Sequence, residues 1–150
     1  MTSRLRSLCM DALDPAALEH FWAALLPGDP GFVLRFRPTD RPRTGPNQAH
    51  FDLTSTSLAD QQATVDRALA LGARHIDVGQ LPEERHVVLA DPEGNEFCVV
   101  EPGNAFLADT GLIGALSCDG GREVGYFWSE VLAWPLVWDQ DEETAIQSPQ

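Results

Sequence analysis

The sequence predicts an α+β fold assembled from repeated strand–helix units. Three observations carry this expectation. Short stretches alternate apolar and polar residues with a period of two, and between them lie apolar stripes spaced i, i+3, i+4, i+7, the marks of half-buried strands and one-sided helices. From residue 50 to 101 the order reads strand, helix, strand, strand, strand. A helix stripe near the N-terminus recurs 106 residues later.

Residues 3–12 alternate, with Arg6, Leu8 and Met10 on one side and Ser7, Cys9 and Asp11 on the other. Asp14-Pro15 opens the first helix: Asp suits the N-cap, and Pro suits the first turn, where an N–H has no helical partner anyway. Leu18, Phe21, Trp22 and Leu25 form its apolar stripe, and Pro27-Gly28 stops it. Phe32 to Phe36 reads as a short apolar strand. Residues 37–47 hold three prolines, one glycine and three arginines, which is loop chemistry.

In the next strand Phe51 and Leu53 face one way, and His50, Asp52 and Thr54 the other. Ser57 with Asp60 makes a capping box for a helix running through Val65 and Leu69 to Gly72. Strands are expected at Ile76–Val78 and His86–Ala90. Asp91-Pro92-Glu93-Gly94-Asn95 supplies a turn, and Phe97 to Val100 returns from it.

A third section follows Pro102. Gly111 to Cys118 reads as a strand, Val124 to Leu132 as a helix, and Leu136–Trp138 and Thr144–Ile146 as two short strands around an acidic turn. Leu18, Phe21, Trp22, Leu25 and Leu26 match Val124, Phe127, Trp128, Val131 and Leu132 in spacing. Internal repetition of this kind points to a modular fold. Trp22 and Trp128 are both expected in packed cores, while Trp134 and Trp138 are open to stacking on a ligand or to packing.

The totals exclude several functions. At 150 residues the chain makes one ordinary domain, or one with an appendage. Its longest apolar run, Phe21 to Leu26, is six residues, far short of the ~20 needed to span a bilayer. Ser7, Cys9 and Asp11 interrupt any signal-peptide core after Arg4 and Arg6, so a cytoplasmic protein is expected. A net charge of −13 repels nucleic acid and anionic membranes. Cys9, Cys98 and Cys118 form no C-x-x-C pair and are expected as reduced thiols. Gly120-Gly121 lacks the following residues of a phosphate loop.

The string HFDLTSTSLADQQATVDRALALGARHIDVG followed by HVVLADPEGNEFCVVEP resembles the glyoxalase-like domain of the vicinal oxygen chelate superfamily, which includes bleomycin-resistance proteins and extradiol dioxygenases. His50-x-Asp52-Leu53, Leu71-Gly72-Ala73 and Asp91 to Phe97 carry the likeness, the last most specifically. The resemblance implies paired βαβββ modules whose sheets curl into a half-open barrel. It divides the chain into a domain of residues 1–102, with modules 1–49 and 50–102, and a partial third module at 103–150. The segment between Leu26 and His50 is too short for three ordinary strands. The tail is expected either to fold back and supply the missing strands or to pack on another copy in a homodimer.

In metal-using members of the family, first and last strands of each module supply His and Glu ligands. Here the first-strand positions fall on Ser7 and His50, and the last-strand position of module two falls on Cys98. Only His50 matches, so no metal is expected. Should an ion bind, His50, Glu96 and Cys98 are within reach with Asp52 beside them, and Cys with His favours zinc. The expected ligand-binding residues are Ser7, Cys9, His50, Asp52, His86, Glu96 and Cys98. Nothing adjacent in sequence activates Ser7 or Cys9 as a nucleophile, and His20 and His75 read as surface positions. The resemblance thus implies a small-molecule binding protein without a cofactor. A metal-dependent lyase, isomerase or dioxygenase is the alternative, and whether any reaction is catalysed is left open.

Overall fold

A computed structural model describes residues 2–149. It contains two compact units: one spans Ser7–Ser117, and the other combines the residues before Ser7 with those from Cys118 onward.

The larger unit begins with β1 (Ser7–Ala12), α1 (Pro15–Leu25) and β2 (Val33–Pro38). There follow β3 (Ala49–Leu53), α2 (Leu58–Ala70), β4 (Arg74–His75), β5 (Val87–Ala90), β6 (Glu96–Val99), a 3-10 turn at Ala105–Leu107 and β7 (Ile113–Cys118). The helices start where the capping residues stand. Asp14 Oδ1 accepts from Ala17 N at 3.1 Å, and Ser57 Oγ from Asp60 N at 3.0 Å. The Asp60 carboxylate reaches back to Thr56 N at 2.8 Å, one residue beyond the ordinary box.

The run β3-α2-β4-β5-β6 is a complete βαβββ module. Its sheet has the order β4-β5-β6-β3-β7, so the module's first and last strands are neighbours. They are parallel, with Phe51 beside Phe97 and Asp52 beside Cys98; parallel pairing requires a long connection, here begun by the crossover through α2. The first module is reduced. β1 pairs directly with β2 in parallel, from Ser7 opposite Val33 to Ala12 opposite Pro38, and a loop stands where two middle strands would lie. The sheets curl without closing. The strand expected at Ile76–Val78 lies two residues earlier. Ile76 N still reaches Val88 O at 3.4 Å, but Asp77 Oδ1 accepts from Gly79 N at 2.8 Å, a local turn that ends the ladder.

Both helices bury their stripes in one core. Leu18, Phe21, Trp22 and Leu25 of α1 pack with Val65 and Ala68 of α2 and with Phe51, Leu53, Phe97 and Val99 of the sheet. Trp22 meets Phe21, Phe51 and Phe97 edge to face, with centroids 5.4, 5.6 and 5.0 Å away. At the bottom of this cluster lies Asp91, wholly buried. Its Oδ1 accepts from Glu93 N at 3.0 Å, Asn95 N at 2.9 Å and Asn95 Nδ2 at 3.1 Å. Its Oδ2 accepts from Trp22 Nε1 at 3.1 Å and Asn95 Nδ2 at 2.9 Å. Burial nevertheless raises the Asp91 carboxyl above its ordinary pKa, against the pull of these donors. The next carboxylate, Glu93, accepts from Leu13 N at 2.7 Å and Asp14 N at 3.1 Å. The turn is thereby tied to the junction of β1 and α1. Gly94 completes it at φ +89, a conformation open mainly to glycine.

The smaller unit contains α3 (Arg122–Leu132), β8 (Leu136–Gln140) and β9 (Glu143–Ile146). The tail strands expected to complete the first module pair with each other instead. Asp141 and Glu142 turn the hairpin at φ 54 and 63, the positive values a type I′ two-residue turn takes at both positions. Gly125 lets α3 approach β9 closely, since a Cβ there would overlap Thr144. Arg122, Tyr126 and Ser129 share that side of the helix, bonded to Asp139 and to Trp134 O. The apolar stripe is on the opposite side and is not a core: Val124 is 37% exposed, Phe127 58%, Trp128 46% and Val131 55%. The burial expected for Trp128 is therefore overturned, because α3 turns its polar and glycine side to its own hairpin. Among the described residues no helix is long and apolar enough to cross a membrane.

Replacing Asp91 by Ala leaves Glu93 N, Asn95 N and Trp22 Nε1 without their acceptor. The expected loss is at least about 3 kcal/mol, measured by urea denaturation. A loss below about 1 kcal/mol would show that the turn does not anchor the core.

Candidate functional site

A cavity of about 560 Å³ lies within the larger unit, a volume ordinary for a small-molecule site. Leu8, Met10, Leu13, Trp22, Ala49, Phe51 and Leu116 give it apolar surface. Cys9, Asp11, Arg37, Thr39, Arg41, Arg43, Asn47, Gln48, His50, Glu93, Asn95 and Glu96 give it polar surface. The position of β1 and β2 follows from their alternation. Leu8, Met10, Leu34 and Phe36 pack against the core, which leaves Cys9, Asp11 and Arg37 on the outer side.

Of the residues expected to bind a ligand, Cys9, His50 and Glu96 line this cavity. Ser7 and His86 do not. Neither do Trp134 and Trp138; Trp134 Nε1 donates to Ser3 O at 2.7 Å. Asp52 and Cys98 are buried beside His50 rather than in the cavity wall. Register sets them side by side on β3 and β6, on the face away from the Phe51 and Phe97 side chains. His50 Nε2 lies 3.3 Å from Asp52 Oδ1, and the other oxygen of Asp52 accepts from Ser117 Oγ at 2.6 Å. The hydrogen bond to Asp52, then that to Cys98, pushes the His50 pKa up to about 10 against the opposing effect of burial.

Glu96, expected to join Cys98 in any ion site, points elsewhere. Its carboxylate pairs with Arg43 and accepts from Asn47 N at 3.2 Å, and its pKa is lowered although burial acts to raise it. Arg43 also donates to Gly94 O, so the loop after β2 is fastened to the turn before β6. Asp52 takes the place foreseen for Glu96: one donor atom each from His50, Asp52 and Cys98 lies within 4.8 Å of the others. One nitrogen, one oxygen and one sulfur suit a tetrahedral zinc ion with an open position. They do not suit magnesium or calcium, which demand six or more mainly oxygen ligands. Zinc held there would supply Lewis acidity toward an oxygen of a bound molecule.

Sequence reasoning missed the arginines. Residues 37–47 read as a loop, and its composition hid the fact that Arg37, Arg41 and Arg43 line one cavity. The available signal was that all ten basic side chains are arginines and three fall in that short segment. Ser117 was missed as well, because only the tertiary fold brings β7 beside β3.

Residues 7–100 match the family model of the glyoxalase-like domain. No functionally curated protein matches the sequence. Among solved structures, a glyoxalase/bleomycin resistance protein/dioxygenase family enzyme from Burkholderia phytofirmans PsJN is similar at 16% identity and TM-score 0.54, over 65% of this chain and 97% of that one. A glyoxalase-related enzyme from Fulvimarina pelagi is similar at 14% identity and TM-score 0.53, over 78% and 99%. A glyoxalase/bleomycin resistance protein from Albidiferax ferrireducens T118 is similar at 18% identity and TM-score 0.50, over 65% and 97%. At such identities the likeness is one of fold.

The raised His50 pKa has a signed consequence. It lies above the ordinary 6.5, so the stability it contributes is complete below about pH 6.5 and is lost as pH rises toward 10. In metal-free protein the imidazole resonances of His50 are expected to titrate near the alkaline end of that window, and His50→Gln to remove this limb of the stability–pH curve. An NMR midpoint near 6.5 would show that Asp52 and Cys98 do not hold the proton.

Proposed function

The chain belongs to the glyoxalase-like domain family, and on that premise we propose that it binds a small organic molecule in its cavity without a resident metal ion. In this reading residues 1–49 and 50–102 are the two modules of the binding domain, residues 103–150 are a partial repeat, and the protein works in the cytoplasm. The observation that carries it is the division between cavity and donor cluster. His50 alone of the three donors lines the cavity, while Asp52 and Cys98 lie buried next to it. An ion there would face the ligand space through one residue, whereas the cavity itself combines apolar walls with fixed polar groups, as binding sites do. Binding rather than turnover is the function this supports.

The rival reading is a metal-dependent lyase, isomerase or dioxygenase. The favouring observation is the zinc-compatible donor set of His50, Asp52 and Cys98. Elemental analysis of purified protein separates the two, with His50→Ala as control. Well under one equivalent of any divalent metal is expected, together with stabilisation by members of a panel of aromatic metabolites and antibiotics in thermal shift. One equivalent of zinc, lost in His50→Ala, would install the rival.

The partner proposed is a second copy of the chain, seated on the α3 stripe. Aromatic side chains carry about 150–250 Å² each, so Phe127, Trp128 and their aliphatic neighbours present roughly 400–500 Å² at the observed exposures. Two such faces together bury roughly 800–1,000 Å², the size of a weak interface at or just under the usual threshold. Light scattering is expected to give twice the mass of one chain, with the dimer favoured by salt because each copy carries −13. Phe127→Glu is expected to give monomers with unchanged far-ultraviolet dichroism. A monomeric wild type would exclude this partner.

A further inference from the structure

We infer that the cavity selects a small organic acid, an apolar body with one carboxylate, through Arg41. The inference rests on the reading of the cavity as a small-molecule site and names the class it takes. Three of the ten arginines in a chain of net charge −13 meet there. Three carboxylates also line it, Asp11, Glu93 and Glu96, so the arginine and carboxylate charges of the lining cancel while the chain as a whole is strongly acidic.

What matters is which of these charges are already engaged. Glu93 is spent on two backbone N–H groups, of Leu13 and Asp14. Glu96 and Arg43 hold each other, and Arg43 also bonds Gly94 O and Asn47 Oδ1. Asp11 and Arg37 pair at 2.7 Å, but both are exposed, and exposed pairs contribute little and exchange readily. Arg41 has no carboxylate partner among the described residues. Its loop is anchored on one side by Arg41 N donating to Thr39 Oγ1 at 3.2 Å and on the other by the fastened Arg43. An unpaired guanidinium, whose fork matches a carboxylate in two parallel hydrogen bonds, therefore stands at a cavity whose lining includes the exposed apolar side chains of Leu13 and Leu116. A cationic ligand would find each carboxylate of the lining already partnered, Asp11 by Arg37, Glu93 by backbone N–H groups and Glu96 by Arg43.

The test compares 2-naphthoate with 2-naphthamide, which share shape and differ in charge, by calorimetric titration of the full chain. Wild type is expected to favour the acid about tenfold, the factor one charge-assisted pair supplies. Arg41→Gln is expected to bring the two within about twofold, and Arg41→Lys to keep part of the preference. Arg41 is an exposed loop residue, and a matching circular dichroism spectrum checks each variant. Equal binding of acid and amide by wild type overturns the inference and leaves the small-molecule reading standing. An acid preference unchanged in Arg41→Gln overturns the role of Arg41. Failure of both probes, while neutral members of the wider panel bind, overturns the acid selectivity. Failure of every compound overturns the selectivity and the reading beneath it together.

Discussion

The larger unit depends on one buried carboxylate. Asp91 lies at the point where β5 ends, the turn to β6 begins and the Trp22 indole enters the core. A lone carboxylate in such a place would be costly to bury. Here Trp22 Nε1, Glu93 N, Asn95 N and Asn95 Nδ2 are aimed at it, so the residue that is expensive to bury becomes the one that specifies how α1 docks. Glu93 repeats the device two residues later by tying the loop between β1 and α1 to the same turn. Because Glu96 then grips Arg43, the turn holds both the reduced first module and the cavity loop in place. Ligand space and core are consequently linked through the six residues from Asp91 to Glu96.

The division between cavity and polar cluster follows from strand parity. In a strand, residues two apart share a face, so His50 with Asp52, and Glu96 with Cys98, fall on the side away from the aromatic core. The parallel register of β3 and β6 then brings Asp52 beside Cys98. Parity does not say which of these side chains reaches open space. That is decided by what lies over them: β7 brings Ser117 to Asp52, and the arginine loop draws Glu96 away.

The two related apolar stripes have opposite fates for a local reason. In α1 the stripe is the only feature able to face the sheet, and it is buried. In α3, Gly125 and the residues bonding Asp139 commit the other side of the helix to the β8–β9 hairpin, leaving Phe127 and Trp128 exposed. The same spacing thus builds a core in one setting and a sticky surface in the other, which is the behaviour of a pattern that encodes periodicity and not partners.

The sequence by itself determined the elements and their order. Alternation located β3, the Asp91–Asn95 turn located β6 as the strand returning from it, Asp14-Pro15 and Ser57 located the helix starts, and the module order followed from this short-range chemistry, which needs no distant residue. It also identified the carriers of chemistry on the sheet, His50, Asp52, Glu96 and Cys98, because parity is local. Only the tertiary structure decided which donors gather with His50, that three arginines, one on β2 and two on the loop after it, line one cavity, and that the α3 stripe lies open. Each of these depends on contacts between segments tens of residues apart, whose pairing energies no single segment records.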